Sequence, residues 1–220
     1  MPIQPLLNNY LQQYFDKILV VSVPRFTDRH QSLKQNLDGL EYEFFYGTDK
    51  EQLDIETAKS DGTYDEQRAK KLQRQGKALN LGELACSLSH RQVYAAMIKY
   101  NWQKVLVLED DVLPLTKDLN QLAEAIEELP HNWELLYLGY LKHEKITNGL
   151  KAKQFFYKIL SAAGFMTWSY KMVSNLLPKP YSVHLKNAGF HDCTHAYAIT
   201  LAGAQKLLAA QTPVVYRADD

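Results

Sequence analysis

Three acids in a row, Glu109-Asp110-Asp111, follow directly on the apolar run Val105-Leu106-Val107-Leu108. Adjacent carboxylates repel one another unless a cation or a hydrogen-bond donor neutralises them. Their hard oxygens suit magnesium, manganese or calcium. If extended geometry persists past Leu108, alternation puts Glu109 and Asp111 on one side and Asp110 on the other. Two carboxylates on one side can share a divalent ion and a diphosphate. The competing reading is a solvated strand end whose acids precede a helix N-terminus.

A second polar group lies in Leu81-Gly82-Glu83-Leu84-Ala85-Cys86-Ser87-Leu88-Ser89-His90. Glu83 falls in a first helical turn, where the helix dipole favours a carboxylate. Cys86, Ser89 and His90 are three and four apart and share a face. Polar groups on an otherwise apolar helix need partners, and a ligand could supply them. The alternative makes Cys86 a small buried residue, bonds Ser89 back to the preceding turn, and satisfies His90 within the core. A Cys–His nucleophile pair needs an exposed thiolate, which so apolar a helix does not offer. No Gly-x-Ser-x-Gly elbow exists for a serine hydrolase.

The elements that must position these groups follow from periodicity. Lys17 to Val23 is β-branched and continuous, a strand buried on both faces and ended by Pro24. Thr27 or Asp28 is the expected cap of a helix to Leu37, and Tyr42 to Tyr46 a second strand. Strand, helix and strand at this spacing imply a βαβ crossover and a parallel sheet. One or two exposed helices are expected in the polar stretch 49–78. A long helix, Gly82 to Tyr100, is apolar nearly all round and reads as buried, with Asn101 at its stop. Lys104 to Leu108 is the third strand, ending at the acids. Leu119 to Leu129 reads as a helix and Glu134 to Leu138 as a fourth strand. Residues 140–158 read as a Lys-rich loop, and Phe155–Leu160 and Phe165–Tyr170 as strands. His195–Thr200 and Ala202–Ala210 read as a last strand and a short helix.

The whole is 220 residues, one α/β domain with no internal repeat. Lys+Arg and Asp+Glu both total 25, so the broad basic footprint of a nucleic-acid binder is missing. No apolar run reaches bilayer-spanning length. The N-terminus reads as lacking a secretory signal, and two cysteines 107 positions apart fit a reducing cytosol.

In order and spacing these features resemble glycosyltransferase family 25, the lipooligosaccharide biosynthesis and collagen β-galactosyltransferase family. Ile18 to Val23 followed by Asp28-Arg29 is similar to its strand–loop–Arg entry. Gly82-Glu83-Leu84-Ala85-Cys86 with Ser89-His90 resembles its GEIGC-x-x-SH block, and Leu108 to Val112 its LEDDV block. Ala196-Tyr197, Gly203-Ala204, Leu207-Leu208 and Ala218-Asp219-Asp220 resemble its closing block. Ser22 stands where the family usually has Asn, and Ala85 replaces a Gly. Relatives usually continue past Asp220, so a single domain over residues 1–220 lacking a C-terminal tail is expected.

The resemblance implies a GT-A type, Rossmann-like α/β domain with a mixed, mainly parallel sheet flanked by helices. It implies transfer of a hexose, galactose foremost, from a UDP-sugar to a lipooligosaccharide, lipopolysaccharide or other glycan acceptor, with inversion. A divalent metal, Mn or Mg, is expected on Asp111, Glu109 and Asp219. Arg29, Glu109, Asp110 and His90 are expected around the donor. Asp219, Glu83 and Asp192 are the candidates for catalysis, with Asp220 behind Asp219. The expected location is cytoplasmic, and peripheral contact with the inner membrane is compatible with it. Lys142, Lys145, Lys151, Lys153 and Lys158 would attract an anionic acceptor or leaflet. Two alternatives stand beside this reading: an inactive, family-derived binding domain, and a metal-dependent nucleotidyltransferase or phosphohydrolase, which lacks a phosphate-cradling glycine loop here.

Overall fold

The computed structural model describes residues 3–73, 76–115, 119, 121–139, 146–166, 168–191 and 193–219. In chain order, α1 (Pro5–Tyr14), β1 (Lys17–Ser22), α2 (Thr27–Asn36), β2 (Glu43–Tyr46), α3 (Ile55–Ser60) and α4 (Glu66–Leu72) come first. Next are α5 (Leu81–Tyr100), β3 (Lys104–Glu109), α6 (Leu122–Glu127), β4 (Leu135–Tyr137), α7 (Asn148–Ala162) and α8 (Tyr170–Ser174). β5 (Lys179–Pro180), β6 (Lys186–Asn187), β7 (Ala196–Thr200) and α9 (Leu201–Ala210) complete the order. Read as one domain, the chain is arranged in two compact units. One holds residues 1–123, 130–139 and 194–220, the other residues 124–129 and 140–193.

The first unit is built on a sheet of order β2-β1-β3-β7-β4. β1 pairs in parallel with both β2 and β3, while β7 runs antiparallel between β3 and β4. Four strands therefore share one direction, the mainly parallel, Rossmann-like α/β arrangement expected. β1 and β3 are buried because their Ile, Leu and Val cover both faces of the sheet. α5 packs on α9 and on the sheet, with Val93, Tyr94 and Met97 meeting Leu19, Val105, Val107, Tyr197 and Ile199 in one core. Its start is a capping box: Asn80 accepts from the Glu83 N–H, and Glu83 accepts from the Asn80 N–H. Its end is Asn101, in the left-handed region at φ 55°.

Register aims the site. Val21 lies opposite Glu109, so Ser22 and Asp110 emerge side by side. Leu108 lies opposite Ala196, which brings His195 and Thr194 alongside Glu109. From β1 the chain steps to β2 on one side and returns to β3 on the other. The carboxyl ends of β1 and β3 thus flank a topological switch point, where open α/β sheets collect ligands.

Several local expectations are corrected. α1 was not anticipated, although Pro5 at its first turn is a start signal. Phe26 occupies the N-cap of α2 and no side chain caps it; Thr27 and Asp28 are already inside its first turn. The helix before Pro130 is shorter than 119–129. In the second unit, residues 148–162 are one helix, α7, rather than a loop leading into a strand. Thr147 caps it by accepting from the Leu150 N–H, and a started helix propagates through aromatics whose β preference is only contextual. Phe165–Tyr170 is not a strand either; α8 begins at Tyr170, capped by Ser169. In this unit Glu128 accepts from Ser182 and meets His184 Nδ1 at 2.7 Å.

Candidate active site

A cavity of about 270 Å³ opens at the switch point. Its walls come from the end of β1, the start of α2, residues 48–50, the first half of α5, and Glu109 to Asp111. Close packing shapes it. A side chain at Gly47 would collide with Ser89, so glycine lets the strand end reach α5. Ser89 then donates to the Ala85 carbonyl and accepts from the Thr48 N–H, which holds the loop with Asp49 against the cleft. Arg25 clamps Asp49 through two hydrogen bonds, 2.6 and 3.0 Å, and this holds the Asp49 carboxyl below its usual range. The guanidinium groups of Arg25 and Arg29 both stack on Phe26, giving one cationic wall.

The three acids have three different environments. Asp110 is only 7% exposed, and its oxygens accept from Ser22 Oγ at 2.5 Å and Arg29 Nη1 at 2.6 Å. The single Ser22 proton goes to that carboxylate, so His30 Nε2–H donates to Ser22 Oγ at 2.8 Å. Glu109 accepts from Thr194 Oγ1 at 2.5 Å and faces His90 Nε2 at 3.5 Å. Burial would push its carboxyl up, but His90, Thr194 and the charge of His195 together hold it below the ordinary value. The side chain of Asp111 is 58% exposed and pairs with Arg29 at 3.4 Å. Partial burial and the neighbouring Glu109 raise its carboxyl, against the pull of Arg29.

Cys86 reports on the sum of these charges. Burial, followed by Glu109, Asp219 and Asp111, pushes its thiol to about 12. Asp219 reaches this neighbourhood because the chain after α9 is docked. Val214 and Val215 are fully buried. Val214 exchanges hydrogen bonds with Thr63 and Asp65, and Ser87 Oγ holds the Tyr216 carbonyl at 3.0 Å. The carboxylates of Glu109, Asp111 and Asp219 therefore act on one point of the cleft.

Residues 15–220 match the model of glycosyltransferase family 25 (LPS biosynthesis protein). The chain belongs to glycosyltransferase family 25. It is 28% identical to mouse procollagen galactosyltransferase 2 over 207 residues, 89% of this chain and 28% of that protein. It is 32% identical to human inactive glycosyltransferase 25 family member 3 over 143 residues, 62% of this chain and 19% of that protein. A Drosophila melanogaster glycosyltransferase 25 family member is 26% identical over 212 residues. The chain thus spans less than a third of the length of these relatives.

In this family 25 chain the donor set suits a divalent cation. Glu109 raises the Asp111 carboxyl, and Asp219 adds its charge with theirs at Cys86; carboxylate oxygens crowded in this way suit a hard cation. A second donor set, Cys86, His90 and Glu109, has ligand atoms within 4.8 Å of one another and suits a softer ion such as zinc. The structure brings Arg29, Glu109, Asp110, Asp111 and His90 to the cleft. His90 is nevertheless 1% exposed and already partnered, with Nδ1 at 2.8 Å from Tyr197 Oη. Asp110 is committed to Ser22 and Arg29. Glu83 is not a cleft residue: its carboxylate closes the α5 cap and lies 3.7 Å from Arg217. The cap of α5 is where the structure places this candidate. Asp192 and Asp220 lie outside the described residues, as do Lys142 and Lys145. Sequence reasoning missed Arg25, His30, Thr194 and Tyr197 as site builders. Ser22, a lone hydroxyl in an apolar strand, was the available signal for one of these networks.

Proposed function

We propose that this chain is a hexosyltransferase that moves galactose from a UDP-sugar to a hydroxyl of a glycan acceptor, with inversion. One observation carries the reading. A single cleft at the β1/β3 switch point has arginines on one wall and Glu109 with Asp111 on the other, and the charge of Asp219 reaches Cys86 in the same lining. Arg25 and Arg29 suit diphosphate oxygens. Glu109, Asp111 and Asp219 would hold Mn or Mg, which supplies Lewis-acid neutralisation of the departing diphosphate when bound. Ser22 and Arg29 fix the Asp110 side chain, so the triplet backbone is held in one geometry. Thr194 and His90 orient Glu109 in the same way. Asp219 is the candidate base for the acceptor hydroxyl, as the carboxylate delivered from the docked C-terminal segment.

The donor choice is supported by the procollagen galactosyltransferase relative, and the acceptor class, a lipooligosaccharide or lipopolysaccharide, by the description of the family. A cytoplasmic location goes with that acceptor, and two cysteines 107 positions apart, Cys86 and Cys193, are in keeping with it. The test is mass-spectrometric detection of transfer from a panel of UDP-sugars to lipooligosaccharide fragments, with and without manganese, for the wild type and Asp111→Asn. Transfer by the wild type that needs the metal, and its collapse in a folded Asp111→Asn, is the expected result. Equal transfer by both proteins would sink the assignment.

The inactive relative motivates a second reading, a nucleotide-sugar-binding domain without turnover. It predicts a manganese-dependent rise in melting temperature with UDP-sugar and no transferred product from any donor.

A further inference from the structure

From Ile146 to His191 the chain carries six lysines, Lys151, Lys153, Lys158, Lys171, Lys179 and Lys186, and no aspartate or glutamate. Glu144 and Asp192 bound the stretch. In the same unit Glu124 and Glu128 are turned to His184, at 3.4 and 2.7 Å. The stretch therefore presents a cationic surface with no acid of its own.

It also turns aromatic side chains outward. No residue of α7 is buried. Phe155 is 67% exposed, Phe156 57% and Ile159 51%; Phe165 reaches 80%. On a helix Phe155 and Ile159 lie on one line, and Phe156 lies a quarter turn away. Lys151 and Lys158, four before and three after Phe155, flank that line. The ammonium groups of Lys153 and Lys158 lie over the rings of Tyr157 and Tyr170, 5.5 and 5.9 Å from the centroids, so cation and aromatic ring are displayed together.

This outward display is fixed. The inner side of α7 is tied to α8 by Gln154, which donates to the Val173 and Ser174 carbonyls, and Ser161 donates to the Trp168 carbonyl. Gly164, at φ +78°, ends the helix; the Gly164 and Phe165 N–H groups return to Ser161 and Leu160. That is a Schellman turn, in which the residue in Phe165's place ordinarily packs back on the helix. Here it points to solvent.

We infer that this face of the second unit seats on the surface of an anionic phospholipid bilayer. Aromatic and aliphatic side chains enter the headgroup boundary while the lysines meet lipid phosphates. A second copy of the chain is a poorer occupant, because it would bring the same lysines to the contact. α7, about 22 Å long at 1.5 Å per residue, lies on the membrane. Among the described residues no helix is long and apolar enough to cross one. The inference stands apart from the transfer reaction, since seating needs neither donor nor acceptor.

The test is sedimentation of the full chain with vesicles of phosphatidylcholine alone or mixed with phosphatidylglycerol. Binding is expected only to the mixed vesicles and weakens with salt. Each lysine contributes about fivefold to partitioning, so Lys151→Glu with Lys153→Glu should lower it more than about tenfold. Phe155→Ser with Phe156→Ser should lower it by a similar factor with an unchanged circular dichroism spectrum. Lys70→Glu with Lys71→Glu, in the other unit, should leave it unaltered. Three results would overturn the inference: binding to neither vesicle or equally to both, full retention by the phenylalanine variant, or loss of self-association rather than of vesicle binding in that variant.

Discussion

Replacing Tyr197 by Phe removes one oxygen from the interior and tests whether His90 is a structural fixture of the site. Tyr197 is 1% exposed, and its hydroxyl lies 2.8 Å from His90 Nδ1 and 3.5 Å from the Tyr94 hydroxyl. His90 Nε2–H faces Glu109, so Nδ1 is the acceptor and the Tyr197 hydroxyl donates to it. Phenylalanine keeps the ring and leaves that buried nitrogen without a donor. The penalty for such a group is about 1–3 kcal/mol. For a chain of this size each kcal/mol moves the thermal midpoint by roughly 2–4 °C, so a loss of about 2–12 °C is expected. Tyr94→Phe removes only the long hydrogen bond, at the outer limit of useful geometry, and should cost less than about 1 kcal/mol. The consequence reaches the site because His90 Nε2 faces Glu109. An imidazole freed at Nδ1 no longer holds that carboxylate, so the manganese-induced rise in melting temperature should shrink in Tyr197→Phe and persist in Tyr94→Phe. Urea and thermal denaturation of both variants, with and without manganese, measure each quantity. If Tyr197→Phe cost no more than Tyr94→Phe, or left the manganese response whole, the chain from Tyr197 through His90 to Glu109 would be refuted.

Cys86, with its thiol near 12, should alkylate with iodoacetamide roughly three orders of magnitude more slowly at pH 8 than a free cysteine in the metal-free protein. Because the folded thiol stays protonated after the unfolded one ionises, its contribution to stability is full below about pH 8.5 and fades as pH rises toward 12; a Cys86→Ala variant should lose that part of the alkaline slope. Glu83→Gln keeps a cap acceptor and gives up only the dipole and Arg217 interactions, so urea titration should show a loss under about 1 kcal/mol with kcat unchanged; a kcat collapse at full stability would return Glu83 to the chemistry. Asp219→Asn should abolish transfer, and calorimetry of UDP-sugar and manganese binding tells its role: intact binding makes it the base, lost binding makes it a ligand, and unaltered transfer excludes both.

Much of the first unit was legible in the order of residues. The βαβ start, the buried α5 and the acids at the end of β3 follow from periodicities of 2 and 3.6, which are local properties. So was the likeness of two polar blocks to a family, since the block from Gly82 to His90 and the block from Leu108 to Val112 are contiguous in sequence. In the second unit local reading failed at α7, because Phe and Tyr suit strands and exposed helices alike until a cap such as Thr147 decides.

The division of labour among the carboxylates was set by the tertiary structure alone. Glu109, Asp110 and Asp111 are the same chemistry in a row. Register puts Ser22 beside Asp110, and an antiparallel strand 85 positions away brings Thr194 to Glu109. Asp111 is left at the mouth. Glu83 looked like a site residue from its neighbours, yet the helix start beneath it took its carboxylate. Sequence determines which groups are present and which face of an element they occupy. The partner each group spends its charge on depends on contacts between distant segments, and those exist only once the sheet has closed its register.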